Sequence, residues 1–192
     1  MKKILLILLI SVIVFPAVNA QFTKVGGGLT FSSGYHFHEM NFDANKSGNL
    51  ALTFKGIYKI NVPLQISPSF TFFLPHVYKD LDEKTTVTTM MFDINGHYVF
   101  NSLDKFEFYG LTGLDVLLAW KNDKYAGSPA QKESDNALGL NLGLGSYMKL
   151  TNQFDLYLEA KYIFSKYHQF MLNAGILINI DWLKKHEETG IN

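Results

Sequence analysis

Ten ionisable side chains sit at alternate positions of otherwise apolar stretches: Lys24, Lys55, Lys59, Asp93, His97, Glu107, Asp115, Asp155, Glu159 and Lys161. In an extended chain, successive side chains point to opposite faces. The set therefore shares one face, and the apolar residues between them share the other. Four lysines meet five carboxylates, with His97 beside them. Such a set supports two chemistries. It can close on itself as a salt-bridge network, because a buried charge left unpaired costs several kcal/mol. It can also line a gated ion path or a proton relay, since ionisable groups inside a membrane protein often mark one. The near balance of signs predicts the network. Strand direction places Lys24, Lys59, His97, Glu107 and Asp155 toward one end, and Lys55, Asp93, Glu159 and Lys161 near the middle.

Other motifs carry less. His36-Phe37-His38-Glu39, with His76 further on, offers a His-x-His spacing, but a metal site needs three or four converging ligands. Exposed loop histidines are the expectation. Gly139-x-x-x-Gly143-x-Gly145 lacks the dinucleotide fingerprint spacing and the helix pattern that would follow it. Glycine on the charged face instead leaves room for larger side chains opposite. Ser32, Ser33, His36, His38 and His168 could contribute to a nucleophile–base pair, yet no spacing singles one out. There is no cysteine, and every basic residue among the 17 is lysine. Without arginine the chain lacks the usual fork for phosphate or base recognition. With zero net charge as well, nucleic acid is excluded as an expected partner. No catalytic, cofactor or metal residue is assigned.

The elements that position the charges are strands. From Phe154 to Phe164 every even position is apolar or aromatic, and the odd positions carry two acids and a lysine, Asp155, Glu159 and Lys161. Its length is about the 9–11 residues that a membrane-crossing strand needs. The pattern predicts strands over Phe22–Ser33, Gly48–Ile60, Leu64–Leu74, Thr86–Phe100, Lys105–Trp120, Ala137–Leu150, Phe154–Phe164 and Gln169–Asp181. Pro68, inside the third, predicts a bulge, because proline removes a ladder hydrogen bond. Tyr35–Lys46, His76–Lys84 and Lys121–Asn136 read as polar loops at one end; the other end has short turns. Aromatics gather near strand ends, Tyr58, Phe100, Phe106, Phe154 and Trp182 at one and Phe31, Phe72, Trp120, Phe164 and Phe170 at the other. Two such belts mark membrane interfaces.

Met1-Lys2-Lys3, an apolar run from Ile4 to Phe15 and the small-x-small sequence Val18-Asn19-Ala20 form a secretory signal peptide. The expected organisation is a signal peptide over 1–20, a β-barrel over 21–183 and a polar tail over 184–192. The expected fold is all-β, an eight-stranded antiparallel up-and-down transmembrane barrel.

On this architecture, and on the segment Phe108-Tyr109-Gly110-Leu111-Thr112-Gly113-Leu114, the chain resembles the small eight-stranded outer-membrane barrels of Gram-negative bacteria. These are the OmpA- and OmpX-like barrels, and the outer-membrane β-barrel proteins of Bacteroidetes in particular. The resemblance implies a place in the outer membrane, among lipid and lipopolysaccharide, with a protein partner possible at the extracellular loops. It carries no catalytic motif. The expected function is non-enzymatic: a barrel with a lumen plugged by side chains, serving envelope structure or surface-loop interaction. The alternatives are an outer-membrane lipid-modifying enzyme and a soluble lipocalin-like binder of an apolar ligand, which would turn the same alternation inside out.

Overall fold

A computed structural model describes residues 22–37, 42–44, 49–61, 63–80, 83–125 and 129–180. The expected signal peptide and polar tail lie outside the described residues, as do His38, Glu39 and Trp182. The described residues form eleven strands: β1 (Lys24–Ser32), β2 (Tyr35–Phe37), β3 (Phe42–Ala44), β4 (Asn49–Asn61), β5 (Leu64–Phe73), β6 (His76–Asp80), β7 (Glu83–Ser102), β8 (Phe106–Tyr125), β9 (Gln131–Lys149), β10 (Phe154–Ser165) and β11 (Gln169–Asn179). The main sheet has nine strands in the order β5-β4-β1-β11-β10-β9-β8-β7-β6, and β5 also pairs with β7. That pairing runs from Leu64↔Tyr98 to Phe72↔Met90 and closes a ring of eight strands, each antiparallel to both neighbours. Closure gives every ring strand two partners, the condition for crossing lipid without orphaned backbone groups. Among the described residues no helix is long and apolar enough to cross a membrane.

The ninth strand, β6, continues β5 after the break at Leu74-Pro75 and pairs with the first residues of β7. β2 and β3 form a separate hairpin in the connection between β1 and β4. The short connections from β4 to β5, β7 to β8 and β9 to β10 lie at one end of the ring; the longer ones, and the short one from β10 to β11, lie at the other.

Two expectations are corrected. Segments read as polar loops are strand: His76–Asp80 is β6, β8 continues to Tyr125, and β9 begins at Gln131. In 121–125 and 131–136 polar residues fall on both faces, and in His76–Asp80 the apolar Val77 and Tyr78 are adjacent, so apolar periodicity could not reveal these strands. Pro68 makes no bulge. The β4–β5 register is the same at Lys55↔Ser69 and Tyr58↔Ile66, and the ladder only skips the residues between. A proline without an N–H removes one bond and need not add a residue. The register shift falls instead between Lys59 and Asn61, beside the turn.

The alternation sets two environments. Leu29, Phe54, Ile94, Leu114, Leu140 and Leu158 face outward and are each 58–64% exposed. Lys55, Asp93, Glu159 and Lys161 face inward and are at most 5% exposed. A soluble apolar-ligand barrel requires the reverse, so the inside-out alternative fails on this burial pattern.

Candidate functional site: a layered lumen and a protruding sheet

Inward-facing side chains line the lumen in layers. Next to the long-connection end is an apolar layer that includes Ala51, Phe73, Met91, Leu117, Ile163 and Met171. Below it is a charged and polar layer. Beneath that, Ile57, Tyr109, Leu111, Tyr147, Tyr157 and Leu177 form a second, tyrosine-rich layer. Last comes a polar mouth beside the short turns.

Glu159 is the hub of the charged layer. It accepts from Lys55 Nζ at 2.7 Å, from Tyr109 Oη at 3.0 Å and from Asn173 Nδ2 at 3.4 Å. His97 Nε2 lies 3.9 Å from the same carboxylate. The His97 ring stacks on Tyr109 at 4.3 Å, and its Nδ1 is 2.8 Å from Tyr147 Oη. Asp93 is the second hub. Its Oδ1 accepts from Lys161 Nζ at 2.7 Å and Asn141 Nδ2 at 2.8 Å, and its Oδ2 from Ser69 Oγ at 3.0 Å. Asp115 stands directly opposite Asp93 on the neighbouring strand. It is buried, and neither of its oxygens has a hydrogen-bond donor. With imidazole uncharged, this layer sets Lys55 and Lys161 against Asp93, Asp115 and Glu159.

Glycine makes the crowding possible at two points. The Tyr109 ring lies over Gly145, and the Asp115 carboxylate lies over Gly139. A β-carbon at either position would collide with that side chain.

Toward the mouth, Lys24 Nζ is 2.6 Å from Asp155 Oδ2. Lys59 and Glu107 reach neither hub. They line a polar cavity of about 290 Å³ at the rim, with Lys24, Asp155 and Lys149. Thus five of the ten singled-out residues gather in one layer, His97 joins that layer to the tyrosines beneath, two form a pair nearer the mouth, and two stand at the mouth. His97 lies on the short-turn side of the charged layer: its backbone pairs with Leu111, its ring stacks on Tyr109, and Nε2 faces Glu159 from 3.9 Å. The apolar fillings Met91, Leu117, Ile163 and Met171 share the inward parity of the charges. Charge alone did not draw attention to them.

The other feature is a sheet that stands beyond the ring. β7, β8 and β9 contain 20, 20 and 19 residues, about twice the 9–11 that a crossing needs. With β6 they continue past the apolar belt. Lys121 joins Asp123 at 2.8 Å and Glu133 at 3.9 Å, and Lys166 reaches Asp135 at 2.9 Å. Residues 131–138 pair with β8, whereas the β9–β10 ladder begins only at Gly139. Burial pushes the His76 ring below its ordinary pKa. Partial burial pulls Lys121 down, but its contacts with Asp123 and Glu133 outweigh that and hold the ammonium above its ordinary value.

Ser32 is bonded to Gln169, and Ser33 Oγ accepts from the Phe170 amide. Among the described residues, no group of three or more His, Cys, Asp or Glu is placed to hold a metal ion.

A closed antiparallel ring with an apolar exterior, a charged interior and short turns at one end defines an outer-membrane β-barrel protein. The profile of the family described as the outer membrane protein beta-barrel domain matches residues 4–181. The chain belongs to that family, and its place is the bacterial outer membrane.

Solved structures agree on the fold. A major outer membrane protein of Thermus thermophilus is 12% identical, with 81% of this chain and 98% of that chain covered and a TM-score of 0.54. Ail, the attachment invasion locus protein of Yersinia pestis, was solved in complex with the heparin analogue sucrose octasulfate. It is 14% identical, over 80% of this chain and 95% of that chain, with a TM-score of 0.53. Neisserial surface protein A is 14% identical, over 81% and 96%, with a TM-score of 0.52. At these identities the likeness is one of fold. No curated protein matches the chain in sequence.

Proposed function

We propose that this protein is a non-enzymatic outer-membrane barrel. Its lumen is closed by its own side chains, and its surface end presents a sheet to a protein partner. The carrying observation is the length of β7, β8 and β9. A strand needs about ten residues to cross; these three nearly double that, and the surplus is ordered, paired strand. Rigid display is a use for such an extension that anchoring does not require. The layered lumen supports the other half of the reading. Apolar and tyrosine layers on both sides of the charges leave the barrel filled, as expected for eight strands.

The outer edge of the sheet, residues 131–136, is guarded by Lys132, Glu133 and Asp135. Charges on an edge suppress indiscriminate strand pairing while still permitting a partner of matching charge to add a strand.

The absence of native cysteine makes a direct test simple. Ser134→Cys, on the protruding sheet, should react with a membrane-impermeant maleimide on intact cells. Asp104→Cys, in a short turn, should react only after the outer membrane is permeabilised. The opposite pattern would refute surface display. In planar bilayers the purified barrel should show no steady ohmic conductance; a stable open channel would refute the closed lumen.

A further inference from the structure

We propose that the outward face of the protruding sheet binds the phosphorylated sugar head of a lipopolysaccharide molecule through Lys79, Lys84, Lys124 and Lys132. The register brings these lysines together. Lys79 on β6 stands opposite Lys84 on β7, and Lys84 stands opposite Lys124 on β8. Lys132 on β9 pairs with Asn122, two residues along β8 from Lys124. All four are exposed. Their outward neighbours Val77, Thr86, Asn122 and Ser134 carry no charge. The inner face has the reverse composition: Asp123, Glu133 and Asp135 point inward, where Lys121 and Lys166 answer them. In the lumen, Lys24, Lys55 and Lys161 each meet a carboxylate. No ion pair among the described residues includes a lysine of the outward row. Like charges directly opposite destabilise a sheet. Lysine on an edge strand discourages stray strand pairing, and that accounts for Lys79 and Lys132. It does not account for Lys84 and Lys124, whose strands have neighbours on both sides.

The position of the row selects the ligand. On β8 the outward series passes from exposed Leu114, Val116 and Trp120 to Asn122 and Lys124, so the lysines continue the lipid-facing wall. Trp120 belongs to the aromatic belt that marks the interface. Lys124 lies four residues further, about 13 Å along the strand and about 10 Å along the membrane normal at the usual barrel tilt. The headgroup layer is about 5–7 Å deep on each side, and a lysine stem carries its ammonium back toward that layer. The row therefore stands over the outer-leaflet headgroups and faces along the membrane plane. The edges and inner face of the sheet are left for a protein partner. Lipopolysaccharide, the lipid of that leaflet, carries phosphates on the sugars directly above its acyl chains, and these complement four unpaired cations. Lysine meets phosphate as a point charge, without the bidentate fork of arginine. The number of ammonium groups sets the hold, and a bound phosphate cluster offsets the repulsion along the row. The inference rests on the proposed surface orientation of this end of the barrel.

The test titrates the full mature protein, in zwitterionic detergent micelles at low salt, against fluorescently labelled lipopolysaccharide that lacks the O-chain but keeps its phosphates. Lys84→Gln combined with Lys124→Gln should weaken binding about thirtyfold, at about fivefold per lysine. Both side chains are exposed, and heat-dependent gel migration checks that the variant is folded. Lys105→Gln combined with Lys149→Gln, which removes two exposed lysines at the short-turn end, should leave the affinity unchanged. Dephosphorylated lipopolysaccharide should bind the wild type at least about thirtyfold more weakly than the phosphorylated form. Undiminished binding by the first variant, an equal loss in the short-turn variant, or equal binding of the dephosphorylated lipid would each overturn the inference. Equal affinity for phosphatidylglycerol would also overturn it, as would displacement by polyglutamate at equal charge, which would assign the row to an acidic protein. Maleimide labelling of Ser134→Cys separates this inference from the surface reading. Labelling on intact cells without lipopolysaccharide binding overturns the inference alone; labelling only after permeabilisation overturns both.

Discussion

Lys55 and Glu159 meet across the lumen at 2.7 Å, from strands that are not neighbours, and each side chain is 2% exposed. The contact ties opposite walls of the barrel. Its Coulomb attraction is offset by the cost of removing both charges from water. Losing one partner is therefore more damaging than losing both. Lys55→Met should destabilise the barrel by about 3–5 kcal/mol, read as a lower urea midpoint for unfolding from lipid vesicles. Lys55→Met combined with Glu159→Leu should recover much of that loss. A double variant no better than the single would show that the pair does not act as a unit.

The Asp93–Asp115 relationship points the other way. Two carboxylates face each other across a strand pair, and only Asp93 has donors. Asp115→Asn removes the surplus negative charge and brings amide donors that Asp93 can accept. It should raise stability by about 1 kcal/mol. Lys161→Glu, which takes away the cation holding Asp93 and crowds it with a further carboxylate, should lower stability by several kcal/mol. Unchanged unfolding in Lys161→Glu, or a weaker barrel in Asp115→Asn, would contradict the charge arrangement described above.

The sequence revealed this barrel where side-chain chemistry alternates. Phe154–Ser165 in the structure extends the strand read from Phe154 to Phe164 by one residue, because every second side chain is apolar. The segments 121–125 and 131–136 hid for the opposite reason. Lys121, Asp123, Glu133 and Asp135 put charge on inward positions, and Asn122, Lys132 and Ser134 put polarity on outward ones. No contrast between faces remained. The ionic set could be chosen by parity, but parity does not measure reach. His97 stacks on Tyr109 and only faces Glu159, at 3.9 Å, and Lys59 leaves the network because its strand ends at the mouth. Asp115 could be placed on the inner face, but its lack of a donor depends on three strands at once.

The protruding sheet should lose stability toward both extremes of pH. The His76 ring has a folded pKa below its ordinary 6.5 because burial disfavours its cation. As pH falls through 6.5 the unfolded chain takes up a proton that the folded sheet resists, so stability falls until the folded pKa is passed. Lys121 has the opposite sign. Its folded pKa lies above 10.5, so its contribution is full below that value and is lost as pH rises through the folded one. Amide exchange in β6 and the outer part of β7, corrected for intrinsic rate, should show the greatest protection between about 6.5 and 10.5. His76→Gln should remove the acid limb only. Equal protection at pH 5 and pH 8 would mean that His76 is not held neutral by its surroundings.

Leu158 tests which side of the wall meets lipid. It is 58% exposed and sits near the middle of β10, paired with Ser146 on one side and Ala174 on the other. A lysine there must place its ammonium in hydrocarbon or bend it toward an interface. At the midplane of an outer-membrane barrel that costs about 2–4 kcal/mol, falling to about 0–1 near the interfaces. Phe154→Lys, four residues nearer the short turns and also outward, supplies the shallow comparison. Folding into vesicles should therefore be impaired strongly by Leu158→Lys and weakly by Phe154→Lys. Because both substitutions introduce the same side chain on the same strand face, the difference reports depth alone. Equal effects would show that β10 does not cross the bilayer in the register described.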